Sequence, residues 1–156
     1  MYDIYIKKLT PQELGYRKGQ LTTGGYFYVS KAAVGTFFKK LSDTIHNDSL
    51  QLDFNDPFNE GEIMNASYIF HNDLHALENG TRNEYRIYLN REISKHELHF
   101  RPDDIIVFLK DENTFSIKHY KKSNPIYETL DGIINDSKIR GNHAVLKFKE
   151  YINYIS

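Results

Sequence analysis

Short runs of alternating apolar and polar residues recur along this chain, and turn-forming residues bound each run. In residues 84–90, for example, Tyr85, Ile87 and Leu89 fall on one side of an extended chain and the polar neighbours fall on the other. Turn signals return about every 8–12 residues, which is typical of a barrel or sandwich of short strands. We predict strands at residues 2–9, 26–30, 49–54, 62–70, 84–90, 105–109 and 114–120, with the last two forming a hairpin.

Helix-start signals are fewer. Thr10 and Glu13 stand three residues apart in the order of a capping box, and Pro11 suits the first turn of a helix. Gly15 follows so closely that this helix has room for a turn or two only. We therefore predict a mainly β, α+β fold with two or three short helices: a turn after Thr10, helices at residues 31–41 and 125–134, the latter capped by Asn124, and a strand or a helix at residues 145–155.

The chain contains 156 residues and no cysteine. This length suits one domain, and the missing cysteines exclude disulfides, thiolate metal sites and cysteine nucleophiles. The N-terminal residues lack the basic-then-apolar order of a secretion signal, and no apolar run approaches about 18 residues. We expect a cytoplasmic protein without membrane contact. Residues 1–122 are expected to form the main domain, and residues 123–156 a supporting or connecting segment packed on it.

The charges are unevenly distributed although the formal net charge is only -1. Residues 1–40 hold seven Lys or Arg against two acidic residues, and residues 82–101 hold five against three. Residues 41–81 hold eight acidic residues and no Lys or Arg. An uneven solvated surface explains this pattern, and so does a phosphate-binding face made of the two basic segments. For such a face we expect both basic segments to line one basic concave surface and residues 43–78 to lie away from it.

No segment has the spacing of a catalytic or metal-binding motif. His71 and His75 are four residues apart, but turn residues surround them and oppose the helix that a metal pair needs. Asp103 is followed by Lys118 without the second carboxylate of a magnesium-dependent nuclease. We expect no catalytic residue, no metal ligand and no cofactor in this chain. A metal-dependent nuclease that uses Asp103 or Asp104 remains open as an alternative.

Two segments have the composition of nucleic-acid recognition. Residues 17–31 (RKGQLTTGGYFYVSK) combine glycines, basic residues and hydroxyl or amide side chains, which suits close approach to a duplex as well as a solvated loop. Farther along, Arg82, Glu84 and Arg86 are spaced by two, so an extended chain projects them on one side. Arg bonds guanine and Glu accepts from cytosine, so this comb can read G·C pairs. It can equally form a surface ladder of ion pairs.

The ordered set of motifs resembles a known family. The motifs are KKLT at residues 7–10, TGG at 23–25, YVSK at 28–31 and GTRNEYR at 80–86. In this order they resemble the N-terminal DNA-binding domain of EcoRII-type restriction endonucleases. The run FRPDDIIVF at residues 100–108 resembles a later turn and strand of that domain, which is also found in plant transcription factors of the B-three type.

This resemblance implies a seven-stranded, B-three-like pseudobarrel that binds double-stranded DNA as a monomer. The bacterial relatives recognise a short G·C-containing site, with CCWGG as the first expectation, through two arms in the major groove. The implied domain is not catalytic, and magnesium belongs only to a nuclease domain outside this chain. The implied first arm spans residues 17–28 and the implied second arm spans residues 82–86. The implied base-reading residues are Gln20, Thr23 and Tyr26 in the first arm and Arg82, Asn83, Glu84, Tyr85 and Arg86 in the second arm. The implied phosphate contacts are Lys7, Lys8, Arg17, Lys18 and Lys31.

One further alternative comes from the acidic segment. Residues 43–78 could bind a basic protein partner, which would make the fold an interaction barrel rather than a DNA-binding one.

Overall fold

The computed structural model describes residues 1–17, 20–21, 26–89, 100–112, 114–137, 139 and 141–156, with the backbone alone at 16–17 and 20–21. The seven predicted strands are all present, with ends that lie within about two residues of the predicted ones. Two short strands at residues 16–17 and 20–21 were not predicted, and a further strand lies at residues 143–146. The described strands are β1 Ile4–Lys8, β2 Tyr16–Arg17, β3 Gln20–Leu21, β4 Tyr26–Val29, β5 Ser49–Asn55, β6 Ile63–His71, β7 Glu84–Leu89, β8 Ile105–Asp111, β9 Thr114–Tyr120 and β10 His143–Leu146. The described α-helices are α1 Asp73–Ala76, α2 Tyr127–Asp136 and α3 Phe148–Ile155, and Lys31–Ala33 form a 3₁₀ helix.

Eight of these strands form one curled, mixed sheet in the order β10-β1-β8-β9-β5-β6-β7-β4. The predicted hairpin is confirmed, because β8 and β9 pair in antiparallel register. The sheet is mixed because β5 and β9 are parallel, with Phe54 opposite Phe115. β2 and β3 form a separate two-stranded unit. The prediction of a mainly β, α+β fold with short helices is therefore confirmed at the level of fold class.

Hydrophobic side chains pack on both faces of the sheet, and β1 shows how. Tyr5 belongs to the larger core inside the curl, where aromatic rings such as Phe38 and Phe108 surround it. Ile4 and Ile6 belong to a second core formed with α2 and α3. Because side chains of a strand alternate between faces, β1 contributes to both cores and is buried along most of its length.

The predicted helix at residues 31–41 is wrong. Only the 3₁₀ helix of three residues forms, and Gly35 then adopts a φ of +78°, which turns the chain out of a helical path. Phe37 and Phe38 are adjacent in sequence and both are buried in the larger core. A turn can bury two neighbours in this way, whereas an amphipathic helix buries residues three or four apart.

The C-terminal residues add to the sheet and cover one of its faces. Asn124 accepts the backbone N–H of Ile126 at 2.9 Å through Oδ1, so it organises the turn before α2 rather than capping the helix itself. Residues 145–155, for which strand and helix were both open, contain the end of β10 and all of α3. β10 pairs with β1 and thereby extends the sheet on that side. No helix of the described chain is long and apolar enough to cross a bilayer.

Candidate nucleic-acid interface

The described parts of the two predicted arms meet in one pair of strands. β4 is the end of the first arm and β7 begins in the second, and the two are antiparallel, with Tyr26 opposite Tyr88 and Tyr28 opposite Arg86. The chain that leads into β4 and the chain that leads into β7 therefore arrive at opposite ends of this strand pair. Arg17, Lys18, Gln20 and Thr23 lie outside the described side chains, so their predicted roles stay predictions.

On the face of this strand pair opposite the larger core, three tyrosines and an ion pair form what we call the tyrosine cluster. Arg86 donates from Nη2 to Glu84 Oε1 at 2.6 Å and to the Tyr28 hydroxyl at 3.3 Å. Its Nη1 donates to the Tyr88 hydroxyl at 3.1 Å. The guanidinium carbon lies 4.2 Å from the ring centre of Tyr26 and 5.1 Å from that of Tyr28. The cluster holds Arg86 in one position through hydrogen bonds and cation–π contacts.

The three residues Arg82, Glu84 and Arg86 of the predicted comb do not share one environment, because only Glu84 and Arg86 belong to the tyrosine cluster. Glu84 and Arg86 contact each other and are partly buried, so their charges neutralise one another locally. Arg82 precedes β7 and is exposed, so it differs from Glu84 and Arg86 in its contact with solvent. The interpretation as an ion-pair ladder is therefore correct for Glu84 and Arg86. Tyr26 is nearly buried beneath Arg86, and its predicted base contact is corrected to a supporting role.

Tyr85 is buried, so its predicted base contact is corrected to a position in the core. Its ring stacks on Phe70 at 4.2 Å and near Tyr68 at 5.4 Å, inside the larger core. Its hydroxyl accepts the backbone N–H of Leu41 at 3.1 Å. The alternation of residues 84–90 already placed Tyr85 on the apolar side of the strand, and that signal outweighs its place within the motif.

The predicted phosphate contact of Lys7 is also corrected. Its side chain is fully buried, pairs with Glu13 and donates to the Tyr28 carbonyl at 2.6 Å, so it cannot contact phosphate in this fold. Burial lowers the pKa of Lys7, and the Glu13 carboxylate opposes that shift. Lys8 points to the other face of β1 and forms an ion pair with Asp131 of α2. Two neighbouring lysines on a strand thus have different partners because they face opposite cores.

Exposed cations do collect at one end of the strand pair, which we call the basic end. Lys31 and Lys40 are exposed and line a depression of about 360 Å³ together with Asn83. Exposed Arg82 is the sequence neighbour of Asn83. Asp43 also lines the depression, so the acidic segment is not separated from the basic ones as expected. Lys40 was not among the predicted contacts, and its exposure beside Lys31 is visible only in the fold.

Gly80 lies just before the second arm and packs closely against the backbone of Asp73. A Cβ atom at Gly80 would lie 2.0 Å from the carbonyl oxygen of Asp73, so only glycine fits there without a backbone shift. The Arg82 carbonyl accepts the Leu74 N–H at 2.9 Å, which fixes the next part of the arm against α1. The arm is therefore anchored by its backbone, and the Arg82 side chain does not take part in these contacts.

His71, which the sequence does not favour as a metal ligand, contacts the tyrosine cluster instead. Its Nε2 shares a hydrogen bond of 2.8 Å with the Tyr88 hydroxyl, so it supports the tyrosine cluster from β6. Burial, followed by the charges of Arg82 and Arg86, lowers the pKa of His71, which favours the neutral ring at neutral pH. Sequence reasoning missed this contact because it depends on the pairing of β6 with β7.

The residues of the nuclease alternative are occupied by structural contacts. Asp104 is buried and accepts the Arg101 N–H at 2.9 Å, and it also contacts His119 at 2.6 Å. Asp103 lies in a turn with a φ of 73° and pairs with Lys122 at 3.4 Å. Within the described ranges, no group of three or more His, Asp or Glu residues could hold a metal ion.

A scan of protein-family models and a search of curated proteins found no match to this chain.

Proposed function

We propose that this chain binds double-stranded DNA sequence-specifically, as the non-catalytic target-recognition module of a restriction endonuclease of the EcoRII type. The observation that carries the proposal is the pairing of β4 with β7, which joins the two segments that resemble the recognition arms of that family. The described ends of both arms then belong to one pair of strands, which suits binding of a single duplex.

The dimensions of the strand pair suit a duplex. β4 contains four residues, so the pair spans about 10 Å between the points where the two arms enter it. The major groove of B-DNA is about 12 Å wide. Arms at the two ends of this pair can therefore approach one groove from its two sides. This is the arrangement of two arms in the major groove that the resemblance implies.

Side-chain contacts between the chain at β1 and the chain at β4 support the pseudobarrel part of the proposal. β4 is the last strand of the sheet order, and its backbone at Tyr28 bonds to Lys7 of β1 and to Glu13. The Tyr5 hydroxyl accepts the Ser30 N–H at 3.0 Å. Side chains of β1 thus bridge to the chain at β4 where a complete barrel has backbone pairing.

Within this proposal the described residues have separate roles. Arg82 reads a base, because it is exposed and an arginine can bond guanine through two donors. Lys31 and Lys40, which line the same depression as Asn83, contact phosphates. Arg86 and Glu84 hold the second arm in shape beneath Arg82.

Selection of bound duplexes from a random pool tests the proposal. Sequence-specific binding predicts one enriched short motif that persists when the salt concentration is raised, because base contacts depend less on salt than phosphate contacts do. Enrichment of no motif contradicts the proposal. Incubation with plasmid and magnesium is the companion assay, since cleavage by this chain alone would favour the nuclease alternative.

A further inference from the structure

The two ends of the first arm are joined by a buried ion pair. Glu13 lies in the turn just before the arm and Tyr28 lies at its end. Glu13 Oε2 accepts the Tyr28 N–H at 2.8 Å and also pairs with Lys7. Lys7 donates in turn to the Tyr28 carbonyl at 2.6 Å. We call this arrangement of Lys7, Glu13 and the Tyr28 backbone the clasp.

The clasp is fixed from the outside as well. Glu13 Oε1 accepts the Thr10 N–H at 3.0 Å and the Thr10 hydroxyl at 3.1 Å, which confirms the capping-box geometry predicted for these two residues. Glu13 and Lys7 are 1% and 0% exposed, so solvent does not compete for these bonds. A buried carboxylate with several donors has little freedom to move, because each lost donor is costly in a dry environment.

The position of the clasp matters because β4 is the terminal strand of the sheet. The edge of a terminal strand normally lacks partners, and its position is then less well defined. Here both the N–H and the C=O of Tyr28 are bound by charged side chains. The clasp therefore fixes residue 28 relative to residue 13, and thus the two points between which the arm runs.

We propose that Glu13, held by Lys7, is a positioning residue for the first recognition arm and sets how well the protein discriminates between DNA sequences. This inference rests on the proposed DNA-binding function. Neither side chain touches DNA, so the clasp acts on base contacts through arm geometry and leaves the phosphate contacts of the basic end unchanged. Loss of the clasp lowers sequence discrimination without changing the salt dependence of binding.

The chain contains a matched control on the opposite face of β1. Lys8 and Asp131 form a second lysine–carboxylate pair, which joins β1 to α2 and is partly exposed. Glu13→Gln and Asp131→Asn are therefore the same chemical change at two ion pairs of neighbouring lysines. If both pairs only stabilise the fold, both variants are expected to show the same affinity ratio and the same salt dependence once the folded fraction is taken into account.

The experiment measures the ratio of affinities for the selected duplex and a scrambled duplex, together with the salt dependence for each. Glu13→Gln is expected to lower the ratio about tenfold or more, in line with the loss of one good base contact. Its salt slope stays that of the wild type, and Asp131→Asn changes neither quantity. Because Glu13→Gln leaves Lys7 buried without its partner, the double variant Lys7→Met/Glu13→Gln is measured in parallel, since removing both charges of a buried pair is often tolerated.

The outcomes are separable. A lower ratio in both clasp variants, with an unchanged ratio in Asp131→Asn, supports the inference. An unchanged ratio in the folded double variant overturns it and leaves the proposed function intact. A wild-type protein that binds the selected and scrambled duplexes equally well overturns the proposed function, and the inference with it.

Discussion

The clasp and the basic end contain the same kinds of residue, and the fold uses them in opposite ways. In the clasp, Lys7 is fully buried and satisfied by Glu13 and the Tyr28 carbonyl. At the basic end, Lys31, Lys40 and Arg82 are exposed. The comparison teaches that charge along the sequence does not distinguish a structural cation from one that can bind phosphate. The distinction depends on which face of which strand the residue occupies.

The largest expected effect is on folding, at the clasp. Lys7→Ala leaves the Glu13 carboxylate buried without its cation, and we expect the free energy of unfolding to fall by about 3–5 kcal/mol. Urea denaturation measures this, with the exposed Lys149→Ala as the control that changes it by less than about 0.5 kcal/mol. Unchanged stability together with a reduced salt slope would place Lys7 among the binding residues instead.

The tyrosine cluster lies between the two extremes. Arg86→Ala removes an ion pair, two hydroxyl partners and two cation–π contacts. We expect the free energy of unfolding to fall by about 2 kcal/mol, since each contact adds modestly and Glu84 loses its partner. Denaturation of this variant is compared with that of Arg82→Ala, which is expected to be within about 0.5 kcal/mol of the wild type. Equal effects at both arginines would remove the distinction between them.

Arg82 is the sharpest test of binding at the exposed side. Arg82→Ala is expected to cost about 1–3 kcal/mol of affinity on the selected duplex and to relax the base preference at one position. Fluorescence anisotropy with the selected duplex and with single-base variants measures both quantities. Loss of the same affinity on every sequence would make Arg82 a phosphate contact.

A pH titration probes the buried side through His143. Burial and the charge of Lys7 lower the pKa of His143 to about 3, and its Nδ1 shares a hydrogen bond with the Tyr5 hydroxyl. The unfolded chain takes up this proton near pH 6.5, so the free energy of unfolding falls as the pH drops from about 6.5 towards about 3. The slope from this group stays below about 1.4 kcal/mol per pH unit, because one imidazole ring takes up at most one proton. His143→Phe is expected to flatten the profile between pH 7 and 4, and an unchanged profile would contradict this assignment.

The smallest effects belong to the two lysines of the basic end. Lys31→Ala and Lys40→Ala are each expected to reduce the slope of log K against log salt by about 0.9, with similar loss on the selected and scrambled duplexes. Lys149→Ala on α3 provides a matched exposed lysine. A slope that changes as much for Lys149→Ala would show that binding depends on overall charge rather than on this end of the molecule.

Local pattern was sufficient to predict seven of the described strands. Alternation of polar and apolar residues indicated strands such as β5 and β7, and a short apolar run indicated β8. The two-residue strands β2 and β3 are too short to show either pattern. The alternation of residues 84–90 also placed Tyr85 correctly on the apolar side of its strand, although the resemblance assigned it a base contact. The failure at residues 31–41 has a different cause, since Gly35 and two adjacent buried phenylalanines depend on the shape of the larger core. The clasp was half predicted. The bond of Thr10 to Glu13 is local, whereas the contacts of Glu13 with Lys7 and Tyr28 depend on the curl of the sheet, which brings β4 close to β1.

The salt dependence of affinity for the selected duplex and for a scrambled duplex tests the central claim most directly. Sequence-specific recognition predicts that the selected duplex binds about a thousandfold or more tightly at physiological salt, with both duplexes losing affinity as salt rises. Equal affinities for the two duplexes at every salt concentration would contradict the claim.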